Sequence, residues 1–180
     1  MTDDQKRTES ILKLEPDLFT GKYKSVLYIG AIPPEANNQY NNPCAGMAYL
    51  DEFKQAGYEI TIVEAHLINS ELLANHYDFE IYHCCIENFK FIKDYDVIFW
   101  WHGPEHVQKN KLPSILQKLE SHCKCIILGC PWGRYKLGAV NQNPYQEHKS
   151  FIYPNMLPGY KTDCIGTVNV PGSNLTAIKK

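Results

Sequence analysis

Two stretches of the chain gather side chains able to move a proton. Trp101-His-Gly-Pro-Glu-His106 sets His102 and His106 around Glu105. Histidine titrates near neutrality, which makes His102 and His106 the first candidates for a general base, with Glu105 placed to orient one of them. A Glu-His pair at a helix start also has a plainer use, interaction with that end. Downstream, Gly129-Cys-Pro-Trp-Gly-Arg-Tyr135 and Asn143-Pro-Tyr-Gln-Glu-His148 carry Trp132, Arg134, Tyr135, Tyr145 and His148, enough for an aromatic, weakly polar pocket. The same segment reads equally well as a covering loop with a helix cap at its end. Glu64 closes the β-branched run Tyr58-Glu-Ile-Thr-Ile-Val63, and an acid at such a strand end can accept both hydroxyls of a ribose. Trp100 and Trp101 point to opposite faces of an extended strand, so at most one should face a ligand, where its ring would attract a cation by about 0.5–2 kcal/mol.

The cysteines offer no comparable set. His83-Cys-Cys85 and His122-Cys-Lys-Cys125 lack the paired Cys-x-x-Cys knuckles of structural zinc. Cys84, Cys125 and Cys130 fall in or beside apolar runs, where cysteine packs as a small apolar residue. No metal is expected.

The elements that must position these residues alternate along the chain. Ser25-Val-Leu-Tyr-Ile29 ends at Gly30 and reads as a buried strand feeding a turn. A polar loop from Pro33 to Pro43 leads to a helix over Gly46–Ala56, with Gly57 as its C-cap. The strand ending at Glu64 completes a strand, helix, strand unit. A helix around Ser70–His76, a strand over Glu80–Cys84 and the nearly continuous apolar run Asp96–Trp101 repeat the pattern. Leu112, Ile115, Leu116 and Leu119 then lie on one helical face, with Pro113 in the first turn, and Cys125–Leu128 is a fifth strand. Pro131–Pro158 has no stable period and is long enough to be functional. The runs Lys161–Asn169 and Leu175–Ile178 close the chain as a hairpin. The expected fold is therefore a three-layer α/β domain with a seven-stranded, mostly parallel sheet and a C-terminal antiparallel hairpin. It would form one domain over 1–180, with 1–24 a polar, helical extension.

Composition narrows the partners. Lys plus Arg is 18 against 20 for Asp plus Glu, a formal charge of −2, so no broad field draws nucleic acid or an anionic membrane. The amino-terminal ten residues are polar, no apolar run approaches a membrane span, and the seven cysteines are odd in number. From these features we expect a reducing compartment, the cytoplasm.

Ligands of open α/β sheets lie at the carboxyl ends of the strands. Dinucleotide binding there needs backbone N–H groups around a pyrophosphate, and Gly30-Ala-Ile-Pro-Pro-Glu places two prolines where those donors belong. An adenosine ligand without phosphate suffers less from that loss. In the order and spacing of Val-Leu-Tyr-Ile-Gly30, Ile-Thr-Ile-Val-Glu64, Tyr95–His106 and the terminal hairpin, the chain resembles the class I S-adenosylmethionine-dependent methyltransferases from about Ser25 to Lys179. The family's Pro-x-Gly and Asn-Pro-x-x-Glu-His-x-Ser stretches have counterparts in Pro131–Gly133 and Asn143–Ser150.

The resemblance implies S-adenosylmethionine as cofactor and a small-molecule methyl acceptor. It assigns Gly30 and Ala31 to the first cofactor loop, Glu64 to the ribose, and Cys85 and Ile86 to the adenine; of the two tryptophans, Trp101 is the one expected at the cofactor. His102, Glu105 and His106 would stand beside the acceptor. The sequence departs from the family pattern at Tyr28, where an acid is usual, at Cys85, where an Asp is frequent, and in retaining one loop glycine. Those departures motivate the competing expectation of a non-catalytic relative that binds an adenosine ligand or a protein partner. A nicotinamide oxidoreductase is the third.

Overall fold

The computed structural model describes residues 3–33, 48–139 and 143–180. Its apolar runs form one sheet. β1 (Ser25–Ile29) pairs in parallel with β2 (Glu59–Glu64) on one side and β4 (Tyr95–Trp101) on the other. β3 (Glu80–His83) extends the sheet beyond β2, and β5 (Cys123–Cys130) extends it beyond β4, both in parallel. The terminal hairpin supplies β6 (Lys161–Ile165) and β7 (Asn174–Lys179), β7 lying antiparallel to β5. The spatial order is β3-β2-β1-β4-β5-β7-β6, the seven-stranded sheet that the alternation predicts.

Both faces of the sheet are covered. α1 (Asp3–Leu14), α2 (Ala48–Gln55) and α3 (Leu67–His76) pack on one face and α4 (Leu112–Glu120) on the other. Strand β4 shows why it reads as apolar throughout: Val97, Phe99 and Trp101 enter one core, Ile98 and Trp100 the other. Gly57 ends the α2 segment at φ +78°, a conformation glycine adopts without steric cost.

Some boundaries move for identifiable reasons. α3 starts at Leu67 rather than Ser70, because its first turn leaves Leu67 and Ile68 exposed and has no side-chain cap, so neither signal was visible. The loop over Pro33–Pro43, and the expected start of α2 at Gly46, lie outside the described residues apart from Pro33 itself. The polar segment 1–24 contributes Ile11 and Leu18 to the core, both fully buried. Ser10 donates to Asp163 Oδ2 (2.8 Å) and sits 2.8 Å from the Thr176 hydroxyl, which ties α1 to the terminal hairpin. Among the described residues, no helix is long and apolar enough to cross a membrane.

The close approach of β5 to β4 depends on Gly129. A Cβ there would fall 2.2 Å from the buried indole of Trp101. Gly129→Ala should therefore cost about 1–3 kcal/mol through overpacking, read as a lower urea midpoint. An unchanged midpoint would mean that the ring moves aside freely.

Candidate active site

Strand order reverses between β1 and β4, and the carboxyl ends of the parallel strands diverge there into a crevice. A cavity of about 870 Å³ occupies it. Its walls come chiefly from the ends of β1 and β2, the segments after β3 and β4, and residues of the 131–139 and 143–149 stretches, with further side chains from α1, α3 and the turn before β7.

Gly30 turns the chain off β1 at φ +77°, its N–H donating to the Val63 carbonyl (2.9 Å). A Cβ at this position would meet nothing within 4 Å, so the main chain borders open cavity. Glu64 stands beside it, only 6% exposed. The His66 N–H donates to its Oε1 (2.8 Å). Burial pushes its carboxyl up to about 7, against the opposing pull of hydrogen bonds from His66, Asn69 and the Ala65 backbone. Cys85 and Ile86 line the wall next to Glu64. Across from them, Tyr145 rises from a short 3-10 turn, Pro144–Gln146, whose N-cap is the Asn143 carboxamide. The nearby Cys85 thiol, acting through charge, with burial next, raises the Tyr145 phenol.

The segment after β4 makes the polar end. His102 has φ +50°, uncommon for a residue with a Cβ, and its N–H is held by the Gly129 carbonyl at 2.7 Å. That turn swings its ring back toward Glu105, Nδ1 to Oε1 at 3.3 Å. Glu105 lies in the 3-10 turn Pro104–His106 and is 1% exposed. Burial alone would raise its carboxyl, but the His102 hydrogen bond and the charges of His106, His102 and His148 outweigh it and hold the group below its usual range. His148 is moved the other way: burial, despite Glu105, keeps its imidazole below its ordinary value and favours the neutral ring. The His148 loop is fastened to this turn by main chain, the Lys149 and Ser150 N–H groups both donating to the Glu105 carbonyl (2.8 and 3.0 Å).

Most residues singled out in the sequence therefore meet at one cavity: Gly30, Glu64, Cys85, Ile86, Trp101, His102, Glu105, His106, Tyr135, Tyr145 and His148. Three do not line it. Ala31 is fully buried. Trp132 forms a bridge with Ile152 and packs on the core, and Arg134 lies over the Phe151 ring at 5.9 Å. Both tryptophans of β4 reach the cavity although they belong to opposite cores. The rule of alternating faces holds along the strand, but the cavity lies beyond the strand's end and meets both edges.

The sequence matches no protein-family model and no curated protein. Solved structures do match. The N-methyltransferase NodS from Bradyrhizobium japonicum, in complex with S-adenosyl-L-homocysteine, superposes with a TM-score of 0.67 at 11% identity, covering 98% of this chain and 86% of that one. The N-terminal domain of EvdMO1, crystallised in the presence of SAH and D-fucose, gives 0.65 at 13% identity over 100% and 83%. The DhpI-SAM-HEP complex gives 0.62 at 11% over 98% and 86%. The chain has the class I methyltransferase fold.

Within this methyltransferase fold one departure noted in the sequence has a structural explanation. Tyr28 is fully buried, its ring 5.0 Å from that of Phe99 and 6.2 Å from that of Phe53. It serves the aromatic core under the cavity rather than the cavity itself. Sequence reasoning also missed several residues that line the cavity, among them Asp3 and Arg7 from α1, Asn69 from α3, and Lys111. Asn69 left a weak signal, since its place in the first turn after Glu64 brings it back to the strand end. Asp3 and Arg7 left none, because their arrival depends on how α1 docks against the distant terminal hairpin.

Proposed function

We propose that the protein transfers the methyl group of S-adenosylmethionine to a small-molecule acceptor. One observation carries the reading: a buried carboxylate, Glu64, next to the open main chain of Gly30 at the reversal point of the sheet. That pair fits an adenosine-bearing ligand, the carboxylate facing the ribose hydroxyls and the glycine leaving room for the chain that follows. The sulfonium supplies a methyl group that leaves by direct displacement, so alignment and exclusion of water are the protein's main tasks. Cys85 and Ile86 flank the base, and the ring of Trp101 lies at the cavity floor. The acceptor occupies the end bounded by His102, Glu105, His106, Tyr135, Tyr145 and His148. There His102, its Nδ1 oriented by Glu105, takes the proton that the acceptor loses. The bound ligands of NodS, EvdMO1 and DhpI support the choice of donor. The six cysteines among the described residues are free thiols, which supports a reducing compartment and our proposal of a cytoplasmic protein.

Calorimetric titration with S-adenosylmethionine and S-adenosylhomocysteine tests the proposal. Both should bind with one site per chain, and a metabolite panel incubated with labelled donor should identify the acceptor. Failure of both to bind would overturn it. Binding without transfer across the panel would favour a non-catalytic adenosine binder.

A further inference from the structure

Glu105, His106 and His148 present ligand atoms within 4.8 Å of one another, the one such group of histidine, cysteine and acidic residues among the described residues. We propose that they form a binding site for a divalent first-row transition-metal ion, a set that a search among cysteines does not contain. The first support is the state of the two rings. His106 Nδ1 is 3.1 Å from the Glu147 carbonyl and His148 Nδ1 is 2.7 Å from the Tyr135 carbonyl. A carbonyl can only accept, so Nδ1 carries the hydrogen in both rings and the neutral form leaves the Nε2 lone pair free. Metal-binding histidines are oriented in this way by their outer partners.

The second support is the carboxylate. Glu105 Oε1 faces His102 Nδ1 at 3.3 Å, whereas Oε2 is buried with no hydrogen-bond partner among the described residues. A buried acceptor without a donor costs about 1–3 kcal/mol, and a cation between the three side chains removes that cost. The third support is rigidity. Lys149 and Ser150 both bond the Glu105 carbonyl, and the Ser150 hydroxyl donates to the Val107 carbonyl (2.5 Å), so the ligands are held together by main chain from two segments. Side-chain rotation must bring the donor atoms to about 3.4 Å apart, the spacing that bonds of about 2.1 Å require.

Two imidazoles and one carboxylate suit zinc, cobalt or manganese rather than calcium or magnesium, which favour all-oxygen shells. Three protein ligands leave further positions open, and all three line the cavity. An oxygen or nitrogen donor of the acceptor would complete the shell, a step that rests on the methyl-transfer reading, whereas the ion site does not.

Cobalt(II) titration of the full chain without any methyl donor tests the site. One equivalent should bind and give visible d–d bands. Glu105→Gln and His148→Ala should each weaken binding more than about tenfold, while His122→Ala, whose ring pairs with Asp94 away from the cavity (2.8 Å), should leave it unchanged. Because the variants at Glu105 disturb a buried group, proton NMR of the unsubstituted protein supplies an independent reading: cobalt should shift two imidazole N–H resonances far outside the diamagnetic range. Absence of saturable binding, equal affinity in both variants, or unshifted imidazole resonances would each overturn the proposal.

Discussion

Glu64→Ala should lower the affinity for S-adenosylmethionine about a hundredfold. Hydrogen bonds to an ionised group contribute about 1.5–3 kcal/mol each, and losing the two that a ribose diol makes to one carboxylate removes at least 3 kcal/mol, about two decades in Kd. The position of the carboxyl's titration adds a second signature. Burial holds it at about 7, and only the carboxylate form can accept from both hydroxyls. Affinity should therefore rise from pH 6 to pH 8, by about tenfold, and flatten above. Glu64→Gln should bind weakly at every pH.

Stability should run the opposite way. The folded value, about 7, lies above the ordinary 4.5, so the group's contribution to stability is fully present below pH 4.5 and is lost as pH rises through 7. By pH 8 the ionised carboxylate costs about 3 kcal/mol. Glu64→Gln should then be the more stable protein at pH 8 by urea titration, a binding group maintained at the expense of the fold. Unchanged calorimetric affinity in Glu64→Ala would place the ribose elsewhere.

Trp101→Ala should destabilise the fold by about 3–5 kcal/mol, the range for deleting a large buried aromatic side chain. Trp101 is 1% exposed, stacks on Phe99 (centroids 5.6 Å apart, 10° between planes) and meets the Tyr49 ring at 5.4 Å. At about 2–4 °C per kcal/mol for a chain of this size, the thermal midpoint should fall by roughly 6–20 °C. Trp101→Phe separates packing from polarity. The indole N–H is buried with no partner among the described residues, so phenylalanine discards a donor that stabilises nothing and should cost well under half as much. Equal losses in the two variants would mean that the N–H has a partner after all.

The alternation of short apolar runs with helical periods made the sheet legible, because a parallel strand covered on both faces must be apolar along its whole length, as β4 is. The cluster at Glu105 was legible in part: the histidines were close in sequence, and His148 lay in a loop of suspicious length. Its geometry was not, since the tautomers of His106 and His148 depend on carbonyls at Glu147 and Tyr135 that spacing does not locate. The placements of Trp132 and Arg134 outside the cavity were hidden for the same reason. Residue type suggested a pocket, but the bridge between Trp132 and Ile152 turns that stretch toward the core.

The two main-chain bonds that fasten 149–150 to the Glu105 carbonyl bear on how such a protein changes its chemistry over time. An anchor made of backbone is indifferent to side-chain replacement. The exposed residues before it, Pro144, Tyr145 and Glu147, can drift in size and polarity while Asn143 keeps its cap and the loop keeps its station over the cavity. On the methyl-transfer reading, new acceptors become reachable by such substitutions at little cost to the fold's stability, and a laboratory graft of this loop that keeps the anchor should inherit that freedom.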